Sequence, residues 1–282
     1  MASASMARPP PPPTGGIWDA PLTSCPLAFV DLEMTGLAVD SDRVIEVCVE
    51  RIVGGEVVGK FVSLVNPEAA YTNSDIHGIV ASMTDGAPTF AEIAQDVLRI
   101  LDGAVFVAHA AQFDIAFLKA EFSRIGIAFE RTHFLDTLVL SRRSFALPGH
   151  SLDELCKHFG LVRPQAHRAE HDVWAMRQVW DHAVAELSPT TARDLWEVRI
   201  GERVARAHLL AVCAEALTQN TPLKVTYRPR RKPAEHFDFV VTSIISELDP
   251  PRVLGYQLPS RGRRELRADR VLSVEPVKAE TS

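Results

Sequence analysis

The stretch between residues 26 and 187 alternates between two patterns of apolar positions. Short apolar or alternating runs are typical of strands, and they occur at Leu27–Glu33, Val44–Val53, Val57–Val65, Ala104–Ala108 and Phe134–Asp136. Apolar residues spaced three and four apart predict helices, here at Phe90–Leu101, Phe113–Ile125, Leu152–Phe159 and Ala169–Leu187. Strands followed by alternating helices and strands predict an α/β fold, a mixed sheet flanked by helices.

The ends of the chain follow neither pattern. Five consecutive prolines, Pro9–Pro13, favour an extended polyproline segment, so residues 1–25 are expected to be a disordered lead. Ser188-Pro189 interrupts the helical spacing, and residues 188–204 are expected to be a helical linker. Short strands bounded by turn residues then predict a small β-rich domain over residues 205–282. Residues 26–187 remain as the main domain.

Composition excludes several classes of protein. With 282 residues and 46% hydrophobic content, the chain has enough apolar material for packed cores, which excludes wholesale disorder. No apolar run approaches the roughly 18–20 residues of a membrane helix, and the start is unlike a signal peptide, so a cytoplasmic protein without membrane contact is expected. Four scattered cysteines without a CxxC pair indicate reduced thiols.

Charge is divided unevenly along the chain. The net charge is -6, but residues 222–282 hold 12 Lys and Arg against 8 Asp and Glu, and the remainder holds 18 against 28. An acidic main domain is expected to repel nucleic acid unless bound cations invert its local field.

Carboxylates stand at the ends of two predicted strands and near the start of a helix. Asp31 and Glu33 lie two apart at the end of the first strand, so both side chains leave the same face, separated by roughly 6–7 Å of strand rise. Asp114 follows another strand, and Asp172 lies in the first turns of a later helix, after His167 in the preceding loop. Taken singly, each has a simpler explanation, because acids at a strand end and a loop histidine are commonly just solvated.

Three strings occur in order and carry a specific resemblance: FVDLEMTGL, VAHAAQFD and HRAEHD. Residues 26–187 resemble the DEDDh family of 3′–5′ exonucleases. They are similar to the proofreading epsilon subunit of bacterial replicative DNA polymerase, and also to oligoribonuclease and ribonuclease T. The resemblance implies a ribonuclease-H-like fold, with His167 as the catalytic base and with four metal ligands: Asp31, Glu33, Asp114 and Asp172.

The same resemblance suggests which residues contact the terminal nucleotide. The segment Ile76-His77-Gly78-Ile79 matches the epsilon pattern, and the suggested contacts are Met34, Thr35, His77 and Phe113. One position departs from the family: Ala110 stands where asparagine often follows the histidine of the second motif, so one substrate contact is expected to be missing.

The implied ligands define the expected chemistry. Oxygen ligands without cysteine select hard cations, so two Mg²⁺ or Mn²⁺ ions are expected. In a two-metal site the ions bracket the scissile phosphate, and a neutral imidazole can take a proton from the attacking water. The expected activity is a metal-dependent 3′–5′ exonuclease that releases nucleoside 5′-monophosphates from single-stranded or frayed DNA ends. An exoribonuclease acting on RNA 3′ ends is the alternative.

Four strings near the C-terminus, AEALTQN, PLKVTY, VLGYQL and RRELRADRVLSVE, resemble in order the WYL domain over residues 205–277. The arginine and proline usual in its second strand are absent around Phe237–Thr242. The resemblance implies a small SH3-like β-barrel that binds a nucleotide or nucleic acid through Tyr227, Arg267 and Arg270. Two further hypotheses stay open: a regulatory protein that senses this ligand, and an accessory subunit of a DNA polymerase or another replication or repair partner.

Overall fold

The computed structural model describes residues 10–71, 77–229, 234–248 and 250–277, with the backbone alone for residues 199–205. These residues form two compact units, which are described separately. The larger unit comprises residues 10–146 and 150–199, and the smaller unit contains residues 200–277. The predicted domain limits, with a linker over 188–204, stay a prediction.

One mixed sheet of five strands forms the centre of the larger unit, in the order β3-β2-β1-β4-β5. The bounds are Leu27–Met34 for β1, Val44–Val53 for β2, Glu56–Leu64 for β3, Val105–Ala108 for β4 and Leu135–Asp136 for β5. β1 is antiparallel to β2, which is antiparallel to β3, whereas β1, β4 and β5 run parallel. The expected α/β fold with a mixed sheet is confirmed.

Seven helices begin in the described part of this unit. Their bounds are Ala81–Thr84 for α1, Phe90–Leu101 for α2, Gln112–Arg124 for α3, Thr137–Ser144 for α4, Leu152–Phe159 for α5, Ala169–Leu187 for α6 and Ala192–Gln219 for α7. Capping boxes start α2 at Thr89 and α5 at Ser151, and α5 ends at Gly160 with a φ of 67°. The division between the units falls within α7, between residues 199 and 200.

Alternation along β1 decides which side chains meet which helices. Ala28, Val30 and Leu32 enter the core that α2 and α3 cover. Phe29 lies on the other face, where its ring meets that of Trp180 on α6 edge-on at 5.5 Å. Because side chains alternate along a strand, the two acids at the end of β1 share the face that α6 covers.

Residues 10–25 pack against the larger unit, so the prediction of a disordered lead is wrong for them. Residues 1–9 of that lead lie outside the described residues. Trp18 is 7% exposed, and its ring meets His133 edge-on at 6.1 Å. His133 in turn meets the buried ring of Trp196 at 6.2 Å. The polyproline pattern gave no sign of this, because the apolar side chain that anchors the segment follows the prolines.

Arg193 on α7 secures the same segment. Its guanidinium donates to the carbonyl oxygens of Pro12 at 3.0 Å and Pro13 at 2.7 Å, and it pairs with Asp19. Because proline has no N–H, the carbonyl oxygens of a proline run find no backbone donor within the run. The N–H groups of the Arg193 guanidinium serve as their hydrogen-bond donors.

The smaller unit is an antiparallel sheet packed against the end of α7. Its strands follow the order β10-β6-β7-β8-β9, with bounds Leu223–Tyr227 for β6, Glu235–Ile245 for β7, Arg252–Leu258 for β8, Gly262–Arg267 for β9 and Val271–Pro276 for β10. Leu209, Cys213 and Ala216 of α7 share a core with Phe239 and other strand residues. The expected β-rich C-terminal domain is observed.

No helix within the described ranges is long and apolar enough to cross a membrane. The four cysteines are free thiols and buried, as their scattered spacing indicates.

Replacing Trp18 with alanine is expected to lower the free energy of unfolding by about 3 kcal/mol, because it removes a buried aromatic side chain. Chemical denaturation monitored by circular dichroism measures the change. Trp174, which is 37% exposed on α6, provides the control, and its alanine variant should lose only about 1 kcal/mol. Wild-type stability of the Trp18→Ala variant would contradict the packed position of the lead.

Candidate active site

Acidic side chains from three separate segments converge at one edge of the sheet. Asp31 and Glu33 lie at the end of β1, and Asp114 lies in the first turn of α3, which follows the parallel strand β4. Asp172 lies in the first turn of α6. Asp114 and Asp172 are each only 6% exposed. Carboxyl ends of parallel strands meet at the same edge of a sheet, which is why acids far apart in sequence come together here.

Glu33 at the end of β1 lies close to His167 and Asp172, which come from the loop before α6 and from its first turn. One carboxylate oxygen from each acid and one imidazole nitrogen all lie within 4.8 Å, an arrangement that could hold a metal ion. His167 precedes α6 in a left-handed backbone conformation with φ of 57°. Its side chain is 42% exposed, and Nε2 lies 3.9 Å from the Asp153 carboxylate. The histidine therefore faces both the acids and solvent.

Desolvation raises the pKa values of the four acids, and the charges of neighbouring carboxylates raise those of Asp31, Glu33 and Asp114 further. For Asp31 desolvation has the largest effect, followed by the charges of Asp114, Asp172, Glu33 and Glu46, and its pKa lies well above the usual range. Burial is also the main reason why the pKa values of Asp114 and Asp172 are raised. Burial, with the charges of Asp172 and Glu46, raises the pKa of Glu33 to about 8.

Two arginines offset part of this negative charge. Arg163, whose side chain is 6% exposed, donates from Nη1 to Asp172 at 2.5 Å and also pairs with Asp153. Arg168 lowers the pKa of Glu33 against the larger effect of burial. The charged neighbours with the largest effects on Asp31 are all carboxylates. The acids therefore retain an excess of negative charge that divalent cations would neutralise.

Asp136, the residue that caps α4, fixes the backbone of the segment VAHAAQFD. Its carboxylate accepts hydrogen bonds from the N–H groups of Ala110 at 3.1 Å and Ala111 at 3.2 Å, as well as from the first turn of α4. Ala110 has a φ of 64°, a left-handed conformation that asparagine adopts more readily than alanine. Asparagine, which often stands at this position in the family that the chain resembles, would therefore adopt this backbone conformation with less strain and could also contact a substrate.

His109 has a supporting position rather than a reactive one. Its Nδ1 bonds to the Thr137 hydroxyl at 2.9 Å and its Nε2 to the carbonyl oxygen of His150 at 3.0 Å. Burial lowers the pKa of His109 to about 4, so the ring is neutral at physiological pH.

The residues suggested as nucleotide contacts have different environments. Phe113 is 50% exposed at the start of α3, whereas Met34 packs against the core. The Thr35 hydroxyl donates to Asp42 at 3.0 Å. His77 is 3% exposed, and its Nδ1 accepts a hydrogen bond from the N–H of Ile79 at 3.0 Å.

That bond fixes the tautomer of His77, because the proton then lies on Nε2. Nε2 is buried and has no hydrogen-bond partner among the described residues. Burial lowers the pKa of His77, which keeps the ring neutral. Ile76, which completes the sequence motif, lies outside the described residues.

Sequence reasoning missed several residues that hold the site: Glu46, Asp136, Arg163 and Arg168. A signal existed for Glu46, because a carboxylate within the apolar strand VIEVCVE needs a buried partner. No comparable signal marked Arg163, which lies in a loop and meets its acidic partners only in the fold.

The fold and this carboxylate site define a protein of the nuclease type, and comparison with known proteins gives the family. The chain belongs to the exonuclease family: the family model described as Exonuclease matches residues 28–179. The expectation of an exonuclease-class enzyme is confirmed at the level of this family.

Two curated relatives are similar to this chain over about half of its length. DNA polymerase III PolC-type of Oceanobacillus iheyensis is 39% identical over 150 residues, which is 51% of this chain and 10% of that protein. The 3′-5′ exonuclease DinG of Staphylococcus saprophyticus is 31% identical over 155 residues, 54% of this chain and 17% of its own length. The chain thus spans less than a fifth of each of these relatives.

Solved structures of exonuclease I share the fold. The zinc-bound E. coli exonuclease I in complex with single-stranded DNA superimposes with a TM-score of 0.56 at 17% identity, covering 83% of this chain and 55% of that one. A further exonuclease I structure gives a TM-score of 0.54 with the same identity and coverage.

Without metal, the protein is expected to lose stability as pH rises from about 5 to about 8.5. Glu33 has a folded pKa of about 8 against an ordinary 4.5, so the folded state binds its proton more tightly and loses that advantage through this window. Urea unfolding in EDTA at both pH values measures the loss, and excess Mg²⁺ should reduce it. The Glu33→Gln variant should show a weaker pH dependence. Equal stability at both pH values in EDTA would contradict the raised pKa of Glu33 in the folded state.

Proposed function

We propose that the larger unit is a metal-dependent 3′–5′ exonuclease that releases nucleoside 5′-monophosphates from DNA ends. The observation that carries the proposal is the convergence of Asp31, Glu33, Asp114 and Asp172 with His167, in a chain of the exonuclease family. This is the DEDDh set of residues, and none of the five is replaced.

The donor set fits two Mg²⁺ or Mn²⁺ ions. All four acids offer oxygen ligands, which hard cations prefer, and their pKa values are raised chiefly by burial and, at Asp31, Glu33 and Asp114, also by the charges of neighbouring carboxylates. Asp31, whose main charged neighbours are the other acids, would hold the ions together with Glu33, Asp114 and Asp172. Such ions supply positive charge for the scissile phosphate and make a bound water more acidic.

His167 acts as the general base. A neutral imidazole can accept the proton of the attacking water, and this ring lies beside Glu33 and Asp172 while remaining 42% exposed. The proton can then pass to solvent. The carboxylates orient the water and His167 removes its proton, so the two groups make separable contributions.

Two further residues are suited to hold the terminal nucleotide. The Nε2–H of His77 has no partner among the described residues and is already desolvated, so a nucleotide acceptor would satisfy it at little additional cost. Half-exposed Phe113, one residue before Asp114, offers an aromatic face on which a base can stack. Met34, whose side chain packs against the core, would contribute an apolar contact. Thr35 would contribute its backbone groups, because its hydroxyl already donates to Asp42.

DNA is the proposed substrate, with a single-stranded or frayed 3′ end. The names of the curated relatives, DNA polymerase III PolC-type and 3′-5′ exonuclease DinG, support DNA. They also support a polymerase or another replication or repair protein as a partner. RNA stays the alternative, because a site that binds the last nucleotide can accept either sugar unless it contacts the 2′-hydroxyl.

The C-terminal unit is proposed to be WYL-like and to bind a nucleotide or nucleic acid. Its antiparallel sheet and basic strands support this. The three suggested contacts differ in availability: Tyr227 is 7% exposed, and Arg267 pairs with Asp269 at 2.9 Å. Arg270, partly exposed before β10, is the most available of them.

A degradation assay on the full chain tests the activity. A 5′-labelled DNA strand and an RNA strand of equal sequence are incubated with Mn²⁺ or with EDTA. We expect stepwise shortening of the DNA from its 3′ end, monophosphate products and no reaction in EDTA. Internal cuts or activity in EDTA would overturn the proposal, and faster shortening of RNA would assign the enzyme to RNA.

Replacing His167 with alanine should lower kcat by about 10²- to 10⁴-fold, the usual contribution of a general base, and leave Mn²⁺ affinity within about twofold. Replacing Asp31 with asparagine should weaken Mn²⁺ binding as well as abolish turnover. Single-turnover kinetics and calorimetric Mn²⁺ titration separate the two effects. Weakened Mn²⁺ binding in His167→Ala would make the histidine a metal ligand, which its position beside Glu33 and Asp172 also permits.

A further inference from the structure

A buried carboxylate on β2 links the strand that carries Glu33 to the loop that carries His167. Glu46 is 2% exposed and lies directly opposite Glu33 in the antiparallel pairing of β1 and β2. Residues opposite each other in such a pair place their side chains on the same face. Glu46 thus projects toward α6 beside the acids of the site without belonging to the proposed metal ligands.

Both oxygens of Glu46 are engaged by the segment that follows His167. Arg168 donates from Nη2 at 2.6 Å and from Nε at 3.0 and 3.1 Å, and the N–H of Ala169 donates at 2.8 Å. The forked contact fixes the plane of the guanidinium, and the bond to Ala169 satisfies an N–H in the first turn of α6. Glu46 therefore holds the backbone on the C-terminal side of His167.

His167 needs such an anchor, because it adopts a left-handed backbone conformation at φ of 57°. A residue other than glycine keeps this strained conformation only where the surrounding structure fixes it. Free rotation of the loop would turn the imidazole away from Glu33 and Asp172.

We propose that Glu46 is a positioning residue: through Arg168 and Ala169 it fixes the loop that presents His167 and the first turn of α6 that carries Asp172. This inference rests on the proposed nuclease function of the site. Glu46 touches neither metal nor substrate in this role. It sets how far Glu33 on β1 lies from His167 and Asp172, the proposed base and metal ligand of the segment HRAEHD.

The chain offers a matched control four residues further along the same strand. Glu50 is 4% exposed and accepts from Arg177 of α6 at 2.9 Å, as Glu46 does from Arg168. The arginines have similar side-chain exposure, 23% and 26%. Glu50 also pairs with Lys60 at 2.7 Å, so its loss should destabilise the fold at least as much. Arg177 lies in the middle of α6, remote from the loop of His167.

The test compares two double variants that each leave the net charge unchanged, Glu46→Gln with Arg168→Gln and Glu50→Gln with Arg177→Gln. Each is measured for unfolding free energy, kcat and KM on a DNA oligonucleotide, and Mn²⁺ affinity. We expect the first pair to lose about 10- to 100-fold in kcat and about 10-fold in Mn²⁺ affinity with little change in KM. The second pair should keep kcat and Mn²⁺ affinity within about twofold despite an equal or larger loss of stability.

A conservative variant separates geometry from charge. Arg168→Lys keeps the positive charge but lacks the planar fork, so it should lose most of the kcat that the first pair loses. Full kcat in Arg168→Lys, or equal losses of kcat in the two double variants, would overturn the positioning role while leaving the nuclease function intact.

The two proposals can fail separately. If the wild-type chain releases no mononucleotide, the proposed function fails, and the Mn²⁺ titrations still decide the role of Glu46. A selective loss of Mn²⁺ affinity in the Glu46 and Arg168 pair would then support positioning, and equal affinities in both pairs would overturn it.

Discussion

Burial of a cluster of carboxylates is the constraint on which the rest of the larger unit depends. The fold removes Asp31, Glu33, Asp114 and Asp172 from water, which raises their pKa values, and the charges of neighbouring carboxylates raise the pKa values of Asp31, Glu33 and Asp114 further. Folding must therefore supply enough packing elsewhere to hold them together. Divalent cations would neutralise these carboxylates, and in the proposed exonuclease they would give an acidic protein a site for a phosphodiester.

Basic residues offset the repulsion between these carboxylates only in part. Arg163 engages Asp172, and Arg168 engages Glu46, so positive charge lies at the periphery of the cluster. The charges that act most strongly on Asp31 remain negative. A basic residue at the centre would stabilise the metal-free fold but would compete with the ions for their ligands. The observed distribution of charge fits the proposed metal site better than it would fit a site built for stability alone.

The alternation of side chains along β1 determines where the acids lie. One face of β1 carries Ala28, Val30 and Leu32 into the core with α2 and α3, and the opposite face carries Asp31 and Glu33 toward α6. A shift of one residue in the β1–β2 register would exchange the two sets and bury the acids in the apolar core. Packing on the first face therefore also determines where the acids lie, and the pairing of Glu33 with Glu46 follows from the same register.

The sequence by itself determined most of the elements of the larger unit and named the candidate site residues. Apolar spacing predicted the bounds of Leu152–Phe159 and Ala169–Leu187, and three motifs named the acids and the histidine, because local periodicity and residue type are properties of short segments. Tertiary structure alone decided the partners. Arg163 meets Asp172, Glu46 holds Arg168 across 122 positions of sequence, and Trp18 packs on His133 after a proline run that predicted disorder. Such contacts depend on strand register and helix packing over the whole unit, and no pattern within one segment contains that information.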